Sequence, residues 1–191
     1  MANQGTPGRG LPRYREATFT EWRSVPSDVR EALEAARLPQ DFFGGRYKSL
    51  PAVEAVEIPG RGTLFRFGTE MLSCSIYWDP ATGEVRGRAD RPIGPHDLSS
   101  PGPLYFVNSS LAQFAETVRA MLAAFPYYDR YDPDIADPER DPTAVADVLR
   151  RTIRRIDPPA VEAHDGFWDT FYWDVGNGDF ATQDVLDATS D

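Results

Sequence analysis

The sequence FVNSSLAQFAETVRAMLAAFP, residues 106–126, contains the clearest change of structure in the chain. Ser110 and Gln113 have the spacing of a capping box, in which each side chain satisfies a free N–H group of the first helical turn. After this cap, apolar residues recur every three or four positions, as on one face of a helix, until Pro126 ends the run. The residues of that face are Leu111, Phe114, Val118, Met121, Leu122 and Phe125. The stretch therefore predicts a short strand, residues 104–107, that leads into a long amphipathic helix.

Short apolar runs broken by Gly and Pro precede this stretch and predict strands. The predicted strands cover residues 52–58, 63–67, 72–78, 84–88 and 104–107. In the third of them Cys74, Ile76 and Trp78 alternate with Ser and Tyr, and this period of two predicts a sheet with one buried face. Asp79 and Gly83 suit a hairpin loop after that strand, because Asp favours the first position of a turn and Gly takes a positive φ without strain.

Three further segments have the signals of helices. A first helix is predicted at residues 27–37. Asp141 as N-cap and Pro142 at the first helical position predict a helix that ends near Ile156, and an aromatic segment at residues 167–175 predicts a last short one. The apolar face predicted for the helix after Asp141 consists of Val145, Val148, Leu149, Thr152, Ile153 and Ile156. One helix, several strands and then helices predict an α+β fold, with a mostly antiparallel sheet of about 4–6 strands packed against helices.

The length of 191 residues fits one domain. Residues 13–180 are predicted to form it, between a disordered N-terminal tail, residues 1–12, and an acidic C-terminal tail, residues 181–191. A single cysteine, Cys74, excludes an internal disulfide and favours a reducing compartment. No apolar run approaches the ~20 residues needed to cross a bilayer, and the N-terminus lacks the apolar core of a secretory signal. The sequence therefore predicts a cytoplasmic protein that does not bind membranes.

The charge of the chain limits its partners. Thirty acidic and twenty basic residues give a formal net charge of −10. Nucleic-acid binders are usually basic, because much of their affinity comes from neutralising phosphates, so the composition argues against nucleic acid as a ligand. A basic protein is the partner that this charge favours through electrostatic steering. The alternative is that the acidity only keeps the protein in solution.

The residue types that support catalysis or metal binding form no recognisable group. His96 and His164 lie in loop-like segments and make no motif with Cys74, whose place in a predicted strand favours a buried, inert thiol. One cysteine and two distant histidines do not make a zinc site. Asp132 and Asp134 begin like a calcium loop, but the central Gly and the closing Glu of that loop are missing. We therefore predict no catalytic residue, no metal site and no cofactor, and a protein that is not an enzyme.

The segment between the helix after Ser110 and the helix after Asp141 is dense in tyrosine and aspartate. Tyrosine is common at interface hot spots because it buries much area at little cost in entropy, and carboxylates attract a basic partner. The predicted partner-binding residues are Tyr127, Tyr128, Asp129, Tyr131, Asp132 and Asp134. The alternative is a solvated connector whose tyrosines fold back onto the core.

A basic cluster follows on the helix after Asp141. Its members are Arg150, Arg151, Arg154 and Arg155. Runs of this kind usually form a solvated face. Pairing with the acidic segment just before the helix and binding of a phosphate group are the two alternatives.

Three segments together resemble the fourth immunity-protein subgroup of the SUKH superfamily. FVNSSL, residues 106–111, is similar to the family's signature at the start of the long helix, and WDPATGEV, residues 78–85, resembles the hairpin before it. IDP, residues 156–158, followed by the aromatic helix around Trp168, resembles the family's C-terminal end. The likeness spans residues 27–178.

The resemblance implies a SUKH-like α+β fold, no enzymatic activity and a role in bacterial polymorphic toxin systems. There such a protein binds a cognate toxin domain and neutralises it, and many of these toxins are nucleases or nucleic-acid deaminases with basic grooves. Within the motifs we expect structural roles for Trp78, Asp79, Gly83, Asn108, Ser109, Ser110 and Trp168. A monomer or weak dimer is expected. A scaffold or regulatory module of the same fold is the main alternative, and a small-ligand-binding protein or an enzyme is a further one.

Overall fold

A computed structural model of the protein describes residues 12–71, 74–90, 102–128, 141–164 and 166–180. Almost all of the two predicted tails, and most of the residues between the last two predicted strands, lie outside these ranges. The division of the chain into one domain and two tails therefore stays a prediction.

The described residues form seven strands and four α-helices. The strands are β1 (Glu21–Arg23), β2 (Asp41–Phe42), β3 (Tyr47–Ile58), β4 (Gly62–Glu70), β5 (Cys74–Trp78), β6 (Val85–Ala89) and β7 (Leu104–Asn108). The helices are α1 (Ser27–Ala35), α2 (Leu111–Ala124), α3 (Pro142–Ile156) and α4 (Phe167–Gly176). Single 3₁₀ turns at Phe43–Gly45 and Pro158–Val161 join β2 to β3 and α3 to α4.

The strands form one sheet. Its strand order is β1-β3-β4-β5-β6-β7, and β2 adds to β3. Among the described strands every pairing is antiparallel except that of β1 with β3. The predicted α+β class is therefore confirmed, and the five predicted strands correspond to β3 through β7. The sequence does not predict β1 and β2, because two or three residues are too few to show a period of two.

A chain of aromatic rings joins the sheet to the helices. Tyr47 of β3 and Phe67 of β4 meet Phe114 of α2, with ring centroids 5.0 and 6.2 Å apart. Phe114 in turn meets Phe167 of α4 at 6.2 Å. Each such ring removes about 150–250 Å² from water, and edge-to-face pairs add ~0.5–1.5 kcal/mol beyond that burial. The core therefore lies between the sheet and the pair α2 and α4.

Helix α2 begins as predicted, with one change in its cap. The Ser110 hydroxyl accepts a hydrogen bond from the Gln113 N–H group (3.2 Å). The Gln113 side chain accepts from the same hydroxyl (2.9 Å) and donates to the carbonyl oxygen of Ile156 in α3 (3.1 Å). In the predicted capping box the Gln113 side chain accepts from the Ser110 N–H group. In the structure it contacts the Ser110 hydroxyl and the end of α3 instead.

Helix α3 buries or partly buries the predicted face, with the exception of Val148. Asp141 caps the helix as predicted, with its Oδ1 accepting from the Thr143 N–H group (2.9 Å). However, Ala146 is buried and Val148 is 52% exposed, so the prediction is wrong for Val148. The reason is that Ala146 lies against Gly176 of α4. Two small residues allow the helices to approach closely, and hydrophobicity alone does not signal such a contact.

Strand β5 has two buried faces, where the sequence predicts one. Tyr77 packs with Ile58 and Leu64 in a second apolar cluster, separate from the main core. Ser75 is also fully buried, and its hydroxyl donates to Asp90 Oδ2 (2.6 Å). The prediction is wrong because it counts Ser and Tyr as polar. A tyrosine ring is mostly apolar, and one hydrogen bond satisfies the serine hydroxyl.

Substitution of Gly68 by Ala is expected to destabilise the fold by about 1–3 kcal/mol, the usual cost of an extra methyl group in a filled core. A Cβ atom at this position would lie 2.4 Å from Cε2 of Tyr47. That ring is fully buried, so it has no free space into which to move. Urea unfolding followed by far-UV circular dichroism measures the change.

Gly176→Ala is the matched control. Its new methyl group would meet the Ala146 side chain at an ordinary distance of 3.9 Å, and alanine favours a helix over glycine by up to ~1 kcal/mol. The control should therefore keep or raise the stability. Equal stability of the two variants would contradict the close packing of Tyr47 over Gly68.

Candidate partner-binding surface

The junction between β7 and α2 is tied to the end of α3 by one buried carboxylate. Asp157 accepts hydrogen bonds from Asn108 Nδ2 (2.8 Å), from the Ser109 N–H group (2.7 Å) and from the Ser109 hydroxyl (2.7 Å). Trp168 of α4 donates from Nε1 to Asn108 Oδ1 (3.0 Å). We call these four residues the Asp157 network. It joins β7, α2, α3 and α4 at one point.

The Asp157 network is shielded from solvent. Both Asn108 and Asp157 are fully buried, and a buried carboxylate is stable only where hydrogen bonds replace its water. Three donors do so here, and hydrogen bonds to a charged group are stronger than neutral ones. Because Asn108 uses both its amide nitrogen and its oxygen, its orientation is fixed, and so is the Trp168 ring. The polar groups of Asn108, Asp157 and Trp168 are therefore occupied by hydrogen bonds within the fold.

The hairpin between β5 and β6 is also held by its own residues. Asp79 Oδ1 accepts from the Ala81 N–H group (3.0 Å), and Trp78 donates from Nε1 to the Gly83 carbonyl oxygen (3.1 Å). Gly83 has a φ of 81°, which glycine adopts at little cost. Asp79 is buried. The hairpin residues therefore fix a turn, and their polar groups are already occupied.

Two of the predicted contact residues have their rings in the core. Tyr127 and Tyr128 are only 8% and 5% exposed. Tyr127 donates to the Met121 carbonyl oxygen (2.9 Å) and Tyr128 to that of Val175 (3.1 Å), and burial raises the pKa of Tyr127. The tyrosines therefore fold back onto the core, and the hypothesis of aromatic anchors does not apply to these two. Outside the described residues lie Asp129, Tyr131, Asp132 and Asp134, whose role stays a prediction.

A buried charged cluster that the sequence does not reveal links the sheet to α4. Arg46 is 5% exposed and contacts Glu70 of β4 (Nη1 to Oε1, 3.8 Å) and Asp174 of α4. Tyr105 of β7 donates to Glu70. Burial lowers the pKa of Arg46 and raises those of Glu70 and Tyr105. No local pattern could have predicted this cluster, because its members come from four distant places in the chain.

Three of the four clustered arginines line a groove of about 330 Å³ on α3, which we call the arginine groove. The residues that line it are Arg150, Arg151, Arg154 and Asp147. Arg150 lies over Tyr172 of α4, with its Cζ 5.8 Å from the ring centroid, and its Nη2 is 3.5 Å from the Val161 carbonyl oxygen. Arg155 does not line the groove. Three members of the basic cluster thus line the groove, and Arg155 lies outside it.

The described part of the chain holds no group of three or more His, Cys, Asp or Glu side chains that could bind a metal ion. Cys74 is partly exposed, where the sequence predicts burial. His164 is exposed, and His96 lies outside the described residues. Among the described helices, none is long and apolar enough to span a membrane.

Comparison with known proteins gives the family. The family model for the SUKH-4 immunity protein matches residues 4–174. The chain belongs to the SUKH-4 immunity protein family. No curated protein and no solved structure matches it. The resemblance that the sequence motifs indicate is therefore confirmed over most of the chain.

The segments that carry the SUKH-4 resemblance meet in space. FVNSSL supplies Asn108 and Ser109, IDP supplies Asp157, and the aromatic helix supplies Trp168. Asn108 is 49 residues from Asp157 and 60 from Trp168, yet both are its hydrogen-bond partners. The recognisable residues of this SUKH-4 protein are thus residues that hold the fold.

Asp157→Ala is expected to lower the free energy of unfolding by about 3 kcal/mol or more. The change leaves the buried Asn108 amide and the Ser109 N–H group without an acceptor, at ~1–3 kcal/mol each. Urea unfolding followed by tryptophan fluorescence measures the loss. Glu116→Ala, at an exposed position of α2, is the control and should change the stability by less than ~0.5 kcal/mol. Equal effects of the two substitutions would contradict the role of the Asp157 network.

Proposed function

We propose that this SUKH-4 protein is a cytoplasmic, non-enzymatic inhibitor that binds a cognate bacterial toxin domain and neutralises it. The family match over residues 4–174 is the observation that carries the proposal. The buried Asp157 network supports it, because the motif residues serve the fold and leave the loops and surface free to vary with the partner.

A basic toxin domain, such as a nuclease or a nucleic-acid deaminase, is the partner that we propose. The substrate groove of such an enzyme carries Lys and Arg side chains that neutralise phosphates. An inhibitor with a net charge of −10 is attracted to that groove, and the attraction raises the association rate. Covering the groove blocks the substrate without any chemistry by the inhibitor.

The acidic segment between α2 and α3 is the proposed contact region. Its start follows Tyr127 and Tyr128, which are packed in the core, and its end is Asp141, the cap of α3. Both ends are therefore fixed by the fold, which lowers the entropy lost on binding. The proposed contact residues are Asp129, Tyr131, Asp132 and Asp134.

Affinity capture followed by a growth assay tests the function. The tagged protein, used as bait in a lysate of the organism that encodes it, is expected to retain one modular or secreted protein at equal stoichiometry. The small C-terminal domain of that protein should arrest growth of a bacterial host, and co-expression of the SUKH-4 protein should restore it. Capture of several housekeeping proteins would favour a scaffold. Lethality that persists on co-expression would contradict neutralisation.

Charge reversal of Asp129, Asp132 and Asp134 to Lys is expected to weaken binding of the captured toxin domain by about tenfold, or ~1.4 kcal/mol. The loss should shrink as salt is raised, because salt screens exposed charges. Isothermal titration calorimetry at two salt concentrations measures both effects.

The control for this variant reverses Asp28, Glu31 and Glu116 to Lys. These positions on α1 and α2 are exposed, and the change in net charge is the same. The control should bind the toxin domain more tightly than the segment variant does. Equal weakening of the two would show that the toxin responds to net charge. Unchanged affinity of the segment variant would exclude this segment from the contact.

A further inference from the structure

The arginine groove holds cations without a carboxylate partner in the described part of the chain. Some of the other arginines there form ion pairs, as Arg66 does with Glu54 (2.6 Å). No Asp or Glu oxygen among the described residues lies within 4 Å of the guanidinium groups of Arg150, Arg151 or Arg154. The chain has ten more acidic than basic residues. Unpaired arginines that line a groove in such a chain therefore call for a physical explanation.

Polar atoms beneath the groove also lack hydrogen-bond partners. Tyr172 is 8% exposed, and its buried hydroxyl has none, nor has the buried Nε of Arg150. Burial raises the pKa of Tyr172, while the positive charges of Arg150 and Arg154 act against that shift, and the Arg150 guanidinium lies 5.8 Å from the ring centroid. A buried polar group without a partner destabilises a fold unless a ligand or water satisfies it. The donors that the groove offers to a group from outside the described chain are the guanidinium N–H groups of the exposed Arg151 and Arg154.

The donors select an anionic oxygen ligand. Guanidinium groups bind carboxylates and phosphates through paired N–H groups. Asp147 lines the same groove and repels a multiply charged phosphate more strongly than a single carboxylate. The net charge of −10 repels a nucleic acid as a whole. Both charges repel a phosphate or a nucleic acid more strongly than a single carboxylate, so we infer a carboxylate carried by a protein.

An exposed tryptophan lies next to Tyr172 in the sequence of α4. Trp173 follows Tyr172 directly and is 70% exposed, and large apolar side chains are seldom so exposed without a partner. Arg, Trp and Tyr are also the residue types that dominate interface hot spots. We propose that the arginine groove and Trp173 form a docking site for an acidic segment of a partner protein, whose Asp or Glu carboxylate enters the groove. The site goes beyond the proposed function, because it requires neither a toxin nor the segment between α2 and α3.

A nuclear magnetic resonance titration of the full-length, ¹⁵N-labelled protein tests the site. The probe is the peptide acetyl-Glu-Leu-Glu-Glu-amide, which is expected to bind in the millimolar range. Amide shifts should be confined to the C-terminal half of α3 and to α4 around Trp173. The neutral peptide acetyl-Gln-Leu-Gln-Gln-amide should cause none, because it lacks the carboxylates.

Matched arginine variants separate the groove from general positive charge. Arg154→Gln is expected to weaken peptide binding at least about fivefold, since it removes a charged donor from the groove. Arg155→Gln removes the same charge from the next residue of the helix, outside the groove, and should leave the affinity unchanged. Both side chains are exposed, so both variants should keep the dispersed amide spectrum of the folded protein.

Four results would overturn the proposal. The first is the absence of shifts with the acidic peptide, and the second is equal weakening by Arg154→Gln and Arg155→Gln. The third is tighter binding of inorganic phosphate or of oligothymidylate at the same residues, which would assign the groove to a phosphate ligand. The fourth is a change of the amide shifts at the groove, in the absence of peptide, when Asp132→Asn and Asp134→Asn are introduced together. That result would show that the chain's own acidic segment occupies the groove.

Discussion

The carboxylate of Asp157 is a charge kept away from water, and the donors that satisfy it come from a distant part of the chain. Asn108 and Ser109, which supply them, lie 49 and 48 residues earlier. The hydrogen bonds form only when β7, α2 and α3 are all in place. A shift of any one of these elements leaves a buried charge without its donors, which costs far more than an ordinary surface change. Through Asn108 the same constraint extends to Trp168 and so to α4.

Apolar contact alone would not select one arrangement of the core. The rings of Phe42, Phe114, Phe167 and Phe171 attract one another without a required direction, because the hydrophobic effect is non-directional. The hydrogen bond from Trp168 to Asn108 has a direction, and it selects one position of α4 against the sheet. A fully satisfied polar network specifies a unique core in this way. The residues of the Asp157 network therefore distinguish this fold from other packings of the same rings.

Elements with local chemical signals could be predicted from the sequence, while contacts between distant segments could not. Ser110 and Asp141 mark the starts of α2 and α3, because a cap and its helix lie within four residues. The burial of Tyr127 and Tyr128 has no local signal, since only the approach of α4 turns a polar stretch into a core position. The small size of Ala146 likewise matters only because another helix passes close by. The arginine groove was visible as a cluster of charges, but the contact of Arg150 with Tyr172 comes from the packing of α3 on α4.

The surface carries charges of both signs, and they act at different distances. At physiological salt the Debye length is ~8 Å, so individual charges are screened beyond that range, and an approaching partner responds mainly to the net charge. When the two proteins are in contact, the individual charged groups determine which orientation is bound. A basic domain attracted by the acidic chain can therefore also carry one carboxylate that fits between the arginines. Long-range attraction governs the rate of encounter and local pairing fixes the register. A uniformly acidic surface would raise the rate of encounter without fixing the register, because it would attract a basic patch equally well in many orientations.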